Sequence, residues 1–163
     1  MDELTLGAQI VVGSSLGGWI MLHVVLDRPA RIAALVGIAA APDATETLMW
    51  NRFSPEIRAK IIGDGFVDLP SPYGETPYRF THRLIEEGRR HLVMDKPLPI
   101  ECPVRLLHGV EDRDVPWQTS LDLMRHVVGS DVVVTLVKSG DHRLSRPCDL
   151  DRLAGVLDAL TGS

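Results

Sequence analysis

The sequence predicts an α/β layered fold built on a mostly parallel sheet of about four strands, with flanking helices and a small helical insertion. Three observations predict it. Four short runs rich in β-branched and aliphatic residues punctuate the chain, and most are apolar without alternation, as parallel strands covered on both faces are. The segments between them carry apolar residues at helical spacing. A glycine-serine turn joins the first strand directly to a helix, which is the connection such a sheet uses at its strand ends.

The strands are read at Gln9 to Val12, Leu35 to Ile38, Val104 to His108 and Val132 to Val137. After the first strand a helix spans about Leu16 to Leu26 and stops at Arg28-Pro29, because the residue before proline disfavours the α region. A helix over Trp117 to Val128 follows the third strand, with Pro116 at its start. The last, Leu150 to Leu160, carries Leu150, Leu153, Val156, Leu157 and Leu160 at helical spacing and is expected to pack on the sheet. Between Pro42 and Pro103 prolines and glycines break the chain into short pieces. Trp50, Phe53, Phe66, Tyr73, Tyr78 and Phe80 gather there. Helical pieces are expected at Ala44 to Arg52, Pro55 to Ile62 and Tyr78 to Leu92. Residues 1–163 thus read as one domain, with residues 43–102 a cap inserted into it.

Charge and cysteine content narrow the function classes. The 163 residues carry 17 basic and 22 acidic side chains, a formal charge of -5, with the basic residues scattered rather than striped, which argues against nucleic acid as a partner. The longest apolar stretches, such as Leu35 to Pro42, are far short of a membrane span, and the first residues are acidic, unlike a signal peptide. Cys102 and Cys148 have no metal-like spacing and read as free thiols in a reducing compartment, from which a cytoplasmic location is expected. No phosphate loop, dinucleotide fingerprint or zinc spacing occurs, so neither a metal nor an organic cofactor is implied.

The strongest local signal is Gly13-Ser14-Ser15-Leu16-Gly17, a Gly-x-Ser-x-Gly between a strand and an apolar helix. Such a turn holds the serine in a strained backbone with its hydroxyl clear of the strand end, and small residues on either side let strand and helix approach. Ser15 is the expected nucleophile, Ser14 a turn residue. The backbone amide of Leu16, at the positive end of the new helix, faces the place where an oxyanion would develop. A serine hydroxyl needs a base within reach and a carboxylate to hold that base in the right tautomer, and behind such a turn both come from loops after later strands. The loop Val110 to Pro116 holds Glu111, Asp112 and Asp114. Asp112, at its apex, is the first choice for the acid. Asp114 lies close enough to the next helix to cap it instead. The loop Lys138 to Arg143 holds the only histidine beyond the fourth strand, His142, which is the expected base, while Asp141 shapes the turn. The other histidines, among them His108 at a strand end, read as ordinary.

Gly13-Ser14-Ser15-Leu16-Gly17-Gly18-Trp19, Arg105-Leu106-Leu107-His108-Gly109, Asp112 with Val115-Pro116-Trp117, and Asp141-His142-Arg143 together resemble the α/β-hydrolase subgroup of mitochondrial palmitoyl-protein thioesterases and acyl-glucuronide esterases. The resemblance spans almost the whole chain. It implies Ser15, Asp112 and His142 as the catalytic residues, an acyl-enzyme mechanism, and small-molecule acyl esters or thioesters as substrates. It also implies a longer enzyme, of which this chain is the C-terminal portion, with an earlier loop donating the second oxyanion-hole amide. Loss of that donor typically costs about two to three orders of magnitude in turnover. The family's strand order leaves Gln9 to Val12 an exposed apolar edge, through which self-association is expected. A second reading follows: an impaired hydrolase serving as a binding or dimerising module.

Overall fold

The computed structural model describes residues 5–71 and 74–162. They form two compact units. One comprises residues up to Pro42 together with those from Val93 onward, the other Asp43–Leu92. The segment 93–102, read from the sequence as part of the insertion, groups with the sheet.

The sheet unit contains β1 (Gln9–Ser14), α1 (Leu16–Asp27), β2 (Ile32–Ile38), β5 (Val104–Gly109), α4 (Gln118–His126), β6 (Val132–Val137) and α5 (Pro147–Thr161); α2 (Pro55–Asp64), β3 (Phe66–Leu69), β4 (Tyr78–Thr81) and α3 (His82–Arg89) belong to the other unit. The four strands run in the order β1-β2-β5-β6, every neighbouring pair parallel. The continuous apolar reading holds best at the centre: β2 and β5 are almost wholly buried, with Leu35, Val36 and Val104 fully so. At the edges β1 is half-buried and β6 is only partly covered, with Val133, Thr135 and Leu136 exposed, because an outer strand has a neighbour on one side only.

Helix α1 is apolar around most of its circumference, and Met21, Leu22 and Val25 form its buried stripe. Helix α5 sets Leu153, Val156, Leu157 and Leu160 against a cluster of Val36, Leu107, Val137 and Leu144. Leu150 departs from the expectation and is exposed: it shares the helical face of Leu153 and Leu157 but lies in the first turn of α5. There Asp149 is buried and takes hydrogen bonds from Arg146 and Arg152 at 2.7 and 3.1 Å. Both cysteines are free. Among the described residues no helix is long and apolar enough to cross a membrane.

In the second unit, Thr45–Met49 and Trp50–Arg52 are short helical turns rather than one helix, and α2 spans Pro55–Asp64. Ser54 caps α2 by accepting from the Ile57 amide, and Pro55 takes the first-turn place where no N–H is needed. The helix expected from Tyr78 to Leu92 divides instead. Tyr78–Thr81 is strand β4, paired antiparallel with β3 (Phe66–Leu69), and α3 occupies His82–Arg89. Thr81 makes the switch: its backbone is extended, and its hydroxyl accepts from the Leu84 amide at 3.0 Å, a cap that begins the helix there. The aromatics pack within the unit, Phe53 on Phe80 and Phe80 on Tyr78, with Arg58 and Arg89 over Trp50. Tyr73 lies outside the described residues.

Candidate active site

The site is built at the C-terminal ends of β1, β5 and β6, where three loops converge. The first is the serine turn. Ser15 has φ 52° and ψ -121°, a left-handed backbone that costs a non-glycine residue on the order of 1–3 kcal/mol. Three hydrogen bonds hold it there: the Ser15 amide donates to Ile38 O at 2.9 Å, and Ser15 O accepts from the amides of Gly18 (2.9 Å) and Ala41 (3.0 Å). A Cβ at Gly13 would lie 2.5 Å from Gly17 O, and one at Gly18 would lie 2.5 Å from the Ala40 Cβ. The close approach is therefore made by Gly13 and Gly18. Gly17, expected to share that role, faces open space and is not needed for it.

The second loop follows β5. Asp112 is fully buried at its side chain, and its Oδ1 accepts from the amides of Asp114 and Val115 at 2.8 and 2.9 Å. Two backbone donors on one oxygen aim the other oxygen outward from the loop. Asp114 does not cap α4, whose N-terminal boundary falls at Trp117 without a side-chain cap. The third loop follows β6. Asp141 Oδ1 accepts from the amides of Arg143 and Leu144, closing a turn that carries His142. The second and third loops are locked together by Val110 N–H to Val137 O and Glu111 N–H to Gly140 O, each 2.9 Å. This contact requires glycine, because a Cβ on Gly109 would collide with the Gly140 backbone.

These loops bring Ser15, His142 and Asp112 into one hydrogen-bonded chain across 127 residues of sequence. Asp112 Oδ2 stands 2.8 Å from His142 Nδ1, and His142 Nε2 stands 3.1 Å from Ser15 Oγ. An ionised carboxylate only accepts, so Nδ1 carries the imidazole proton, leaving Nε2 to accept from the serine hydroxyl. His142 is about 19% exposed at its side chain and Asp112 not at all, so the base is reachable while the carboxylate is shielded. A hydroxyl, imidazole and carboxylate in this order can deprotonate the oxygen as it attacks and return the proton to a leaving group. Leu16 opens α1, and its first-turn amide has no acceptor within the helix, which leaves it available to a developing negative charge beside Ser15.

One residue of the site was not singled out in the sequence. His108, read as an ordinary strand-end histidine, is fully buried, with Nε2 3.2 Å from the Asp112 Oδ2 that His142 uses. Only its sequence neighbourhood, directly before Gly109 and four residues before Asp112, could have pointed to it.

No family model matches the chain. Five curated mammalian proteins are similar over 161 residues, 98% of this chain. The bovine (Bos taurus) "Palmitoyl-protein thioesterase ABHD10, mitochondrial" is 42% identical and the human (Homo sapiens) protein of the same name 40% identical. The chain spans about half the length of these two relatives, 52% of each. Among solved structures, a putative hydrolase from Agrobacterium vitis superposes with a TM-score of 0.92 at 40% identity, over 98% of this chain and 63% of that one. The alpha/beta hydrolase domain-containing protein 10 from mouse superposes with a TM-score of 0.89 at 41% identity, over 99% and 64%. The curated relatives are named as mitochondrial, which overturns the cytoplasmic expectation. Two free cysteines do not distinguish one compartment from another. The chain thus has the fold of part of an α/β-hydrolase and is similar in sequence to the ABHD10 palmitoyl-protein thioesterases.

Proposed function

We propose that this chain carries the catalytic residues of a serine hydrolase acting on acyl esters or thioesters. The observation that carries the reading is the chain of contacts from Ser15 Oγ through His142 to Asp112, at 3.1 and 2.8 Å. Ser15 attacks the acyl carbonyl while His142 Nε2 takes its proton, and Asp112 steadies the imidazolium. The Leu16 amide donates to the tetrahedral oxyanion. His142 then protonates the departing alcohol or thiol, and water, activated by the same imidazole, releases the acid from the acyl-enzyme. The names of the mammalian relatives favour an acyl thioester as substrate.

A second reading, an impaired hydrolase that serves as a binding or dimerising module, draws support from β1. Among the described residues this strand is one of the two outer strands of the sheet, and it carries no charged residue. A fluorophosphonate probe separates the two, because it reacts only with an activated serine. The first reading predicts covalent labelling of the purified chain, lost in Ser15→Ala, and turnover of p-nitrophenyl acyl esters and acyl thioesters. Folded protein that takes no label favours the module.

A further inference from the structure

We propose that His108 is a positioning residue for the reaction: its Nε2–H holds Asp112 Oδ2 toward His142, in a tautomer that Val115 O and Asp112 enforce and the Ser120 hydroxyl matches. The inference rests on the serine-hydrolase reading for its catalytic meaning, but its geometry stands apart from turnover.

His108 is the penultimate residue of β5, and its ring meets three groups. Nε2 lies 3.0 Å from Val115 O and 3.2 Å from Asp112 Oδ2; Nδ1 lies 2.7 Å from Ser120 Oγ. A backbone carbonyl and a carboxylate can only accept, so Nε2 must carry the proton and share it between them. Nδ1 is then a bare acceptor, and the Ser120 hydroxyl supplies its donor. Ser120 is itself buried, on the inner face of α4. The ring therefore links β5, the acid loop and α4 with every polar atom matched. Burial pushes the imidazole below its ordinary range, against the opposing pull of Val115 O and Asp112.

The consequence lies on Asp112. Its Oδ1 is occupied by two backbone amides and its Oδ2 by two imidazole N–H groups, one from each histidine. A carboxylate saturated in this way keeps one rotamer, and that rotamer is the one His142 needs. Because His108 donates without being charged, it draws off part of the carboxylate's negative charge without opposing the imidazolium that forms on His142. Removing it concentrates that charge on the His142 contact, so His142 should hold its proton more tightly. The other charged or titratable groups around His142 are Asp114, whose carboxylate lies within 4.8 Å of the Asp112 and His142 ligand atoms, and the chain neighbours Asp141 and Arg143. Substitution at His108 leaves all of these in place.

The test is a histidine NMR titration, which needs no activity. In the wild-type protein, the ¹⁵N shifts of His108 should report a neutral ring protonated at Nε2 from pH 7 to 9. A ring protonated at Nδ1, or one that becomes imidazolium in that range, would overturn the proposal. This measurement does not depend on any variant folding. In His108→Leu, the titration of His142 should move up by about half a pH unit or more, roughly threefold more imidazolium at a given pH. In His108→Gln, whose side-chain N–H reaches the place of Nε2, it should return close to the wild-type value. A folded His108→Leu protein with an unmoved His142 titration would sink the idea. Failure of the chain to label with a fluorophosphonate, with the His142 shift present, would strike the hydrolase reading and leave the clamp standing.

Discussion

At the residue scale the site rests on a few atoms whose removal has separable consequences. Asp112→Asn turns an acceptor that faces an imidazole N–H into an amide whose orientation is set by its other contacts. The His142 tautomer is then no longer enforced, and a drop of about four orders of magnitude in acylation rate is expected, read as the rate of probe labelling. His142→Ala removes the base itself and should be at least as damaging, with folding unchanged because the ring is partly exposed. The Gly-x-Ser-x-Gly pattern made Ser15 legible in the sequence, since few other contexts need a small residue before a serine at a strand end. Gly13, Gly18 and Gly17 could not be ranked that way. Which of them touches something depends on Ala40 and on the return path of α1, which no local pattern encodes.

At the element scale the acid and base loops function as a pair because Gly109 and Gly140 pass in contact. Gly109→Ala should push them apart and displace His142 from Asp112. Labelling should slow about a hundredfold or more while the circular dichroism spectrum is kept, because misplacing a reacting group by about 1 Å costs that much. Gly17→Ala is the contrasting case. Its Cβ meets open space and its backbone is helical, so the protein should be as stable or gain up to about 0.5–1 kcal/mol, read from urea unfolding. The elements themselves were legible to different degrees. All four parallel strands and the helices α1, α4 and α5 follow from apolar runs and proline placement. The β3–β4 hairpin was missed because Tyr78 to Leu92 can be read at helical spacing, and only the pairing of Phe66–Leu69 with Tyr78–Thr81 makes the first four residues a strand.

For the whole molecule, pH dependence of stability follows from two groups in the sheet unit. His108 is held below its ordinary value near 6.5 by burial, so the unfolded chain binds more protons than the native one as pH falls beneath that value. Stability is therefore full above about pH 6.5 and declines as the pH drops further. Asp149 is held below its ordinary 3.8 by its hydrogen bond with Arg146, and the stability it contributes is present above that value and lost below it. Thermal unfolding across pH 3 to 8 should show a decline beginning near pH 6.5, and in His108→Leu that first decline should flatten. The sheet edge bears on association. β1 offers one uncharged edge, and with Val12 exposed the chain is expected to self-associate at micromolar concentration. Sedimentation velocity should show dimer or larger species that Val12→Lys reduces, and a clean monomer at that concentration would count against the edge.

Local chemistry in the sequence was sufficient for the α/β layering, the serine turn, and the loops that hold Asp112 and His142, because strand period, turn strain and chain order each leave a mark on nearby residues. Tertiary structure alone decided the rest. The sharing of one Asp112 oxygen by two histidines, the fit of Gly109 against Gly140, and the exposure of Gly17 and Leu150 are contacts between segments far apart in the chain. Their energies depend on which surfaces meet after folding, and a linear pattern does not carry that information.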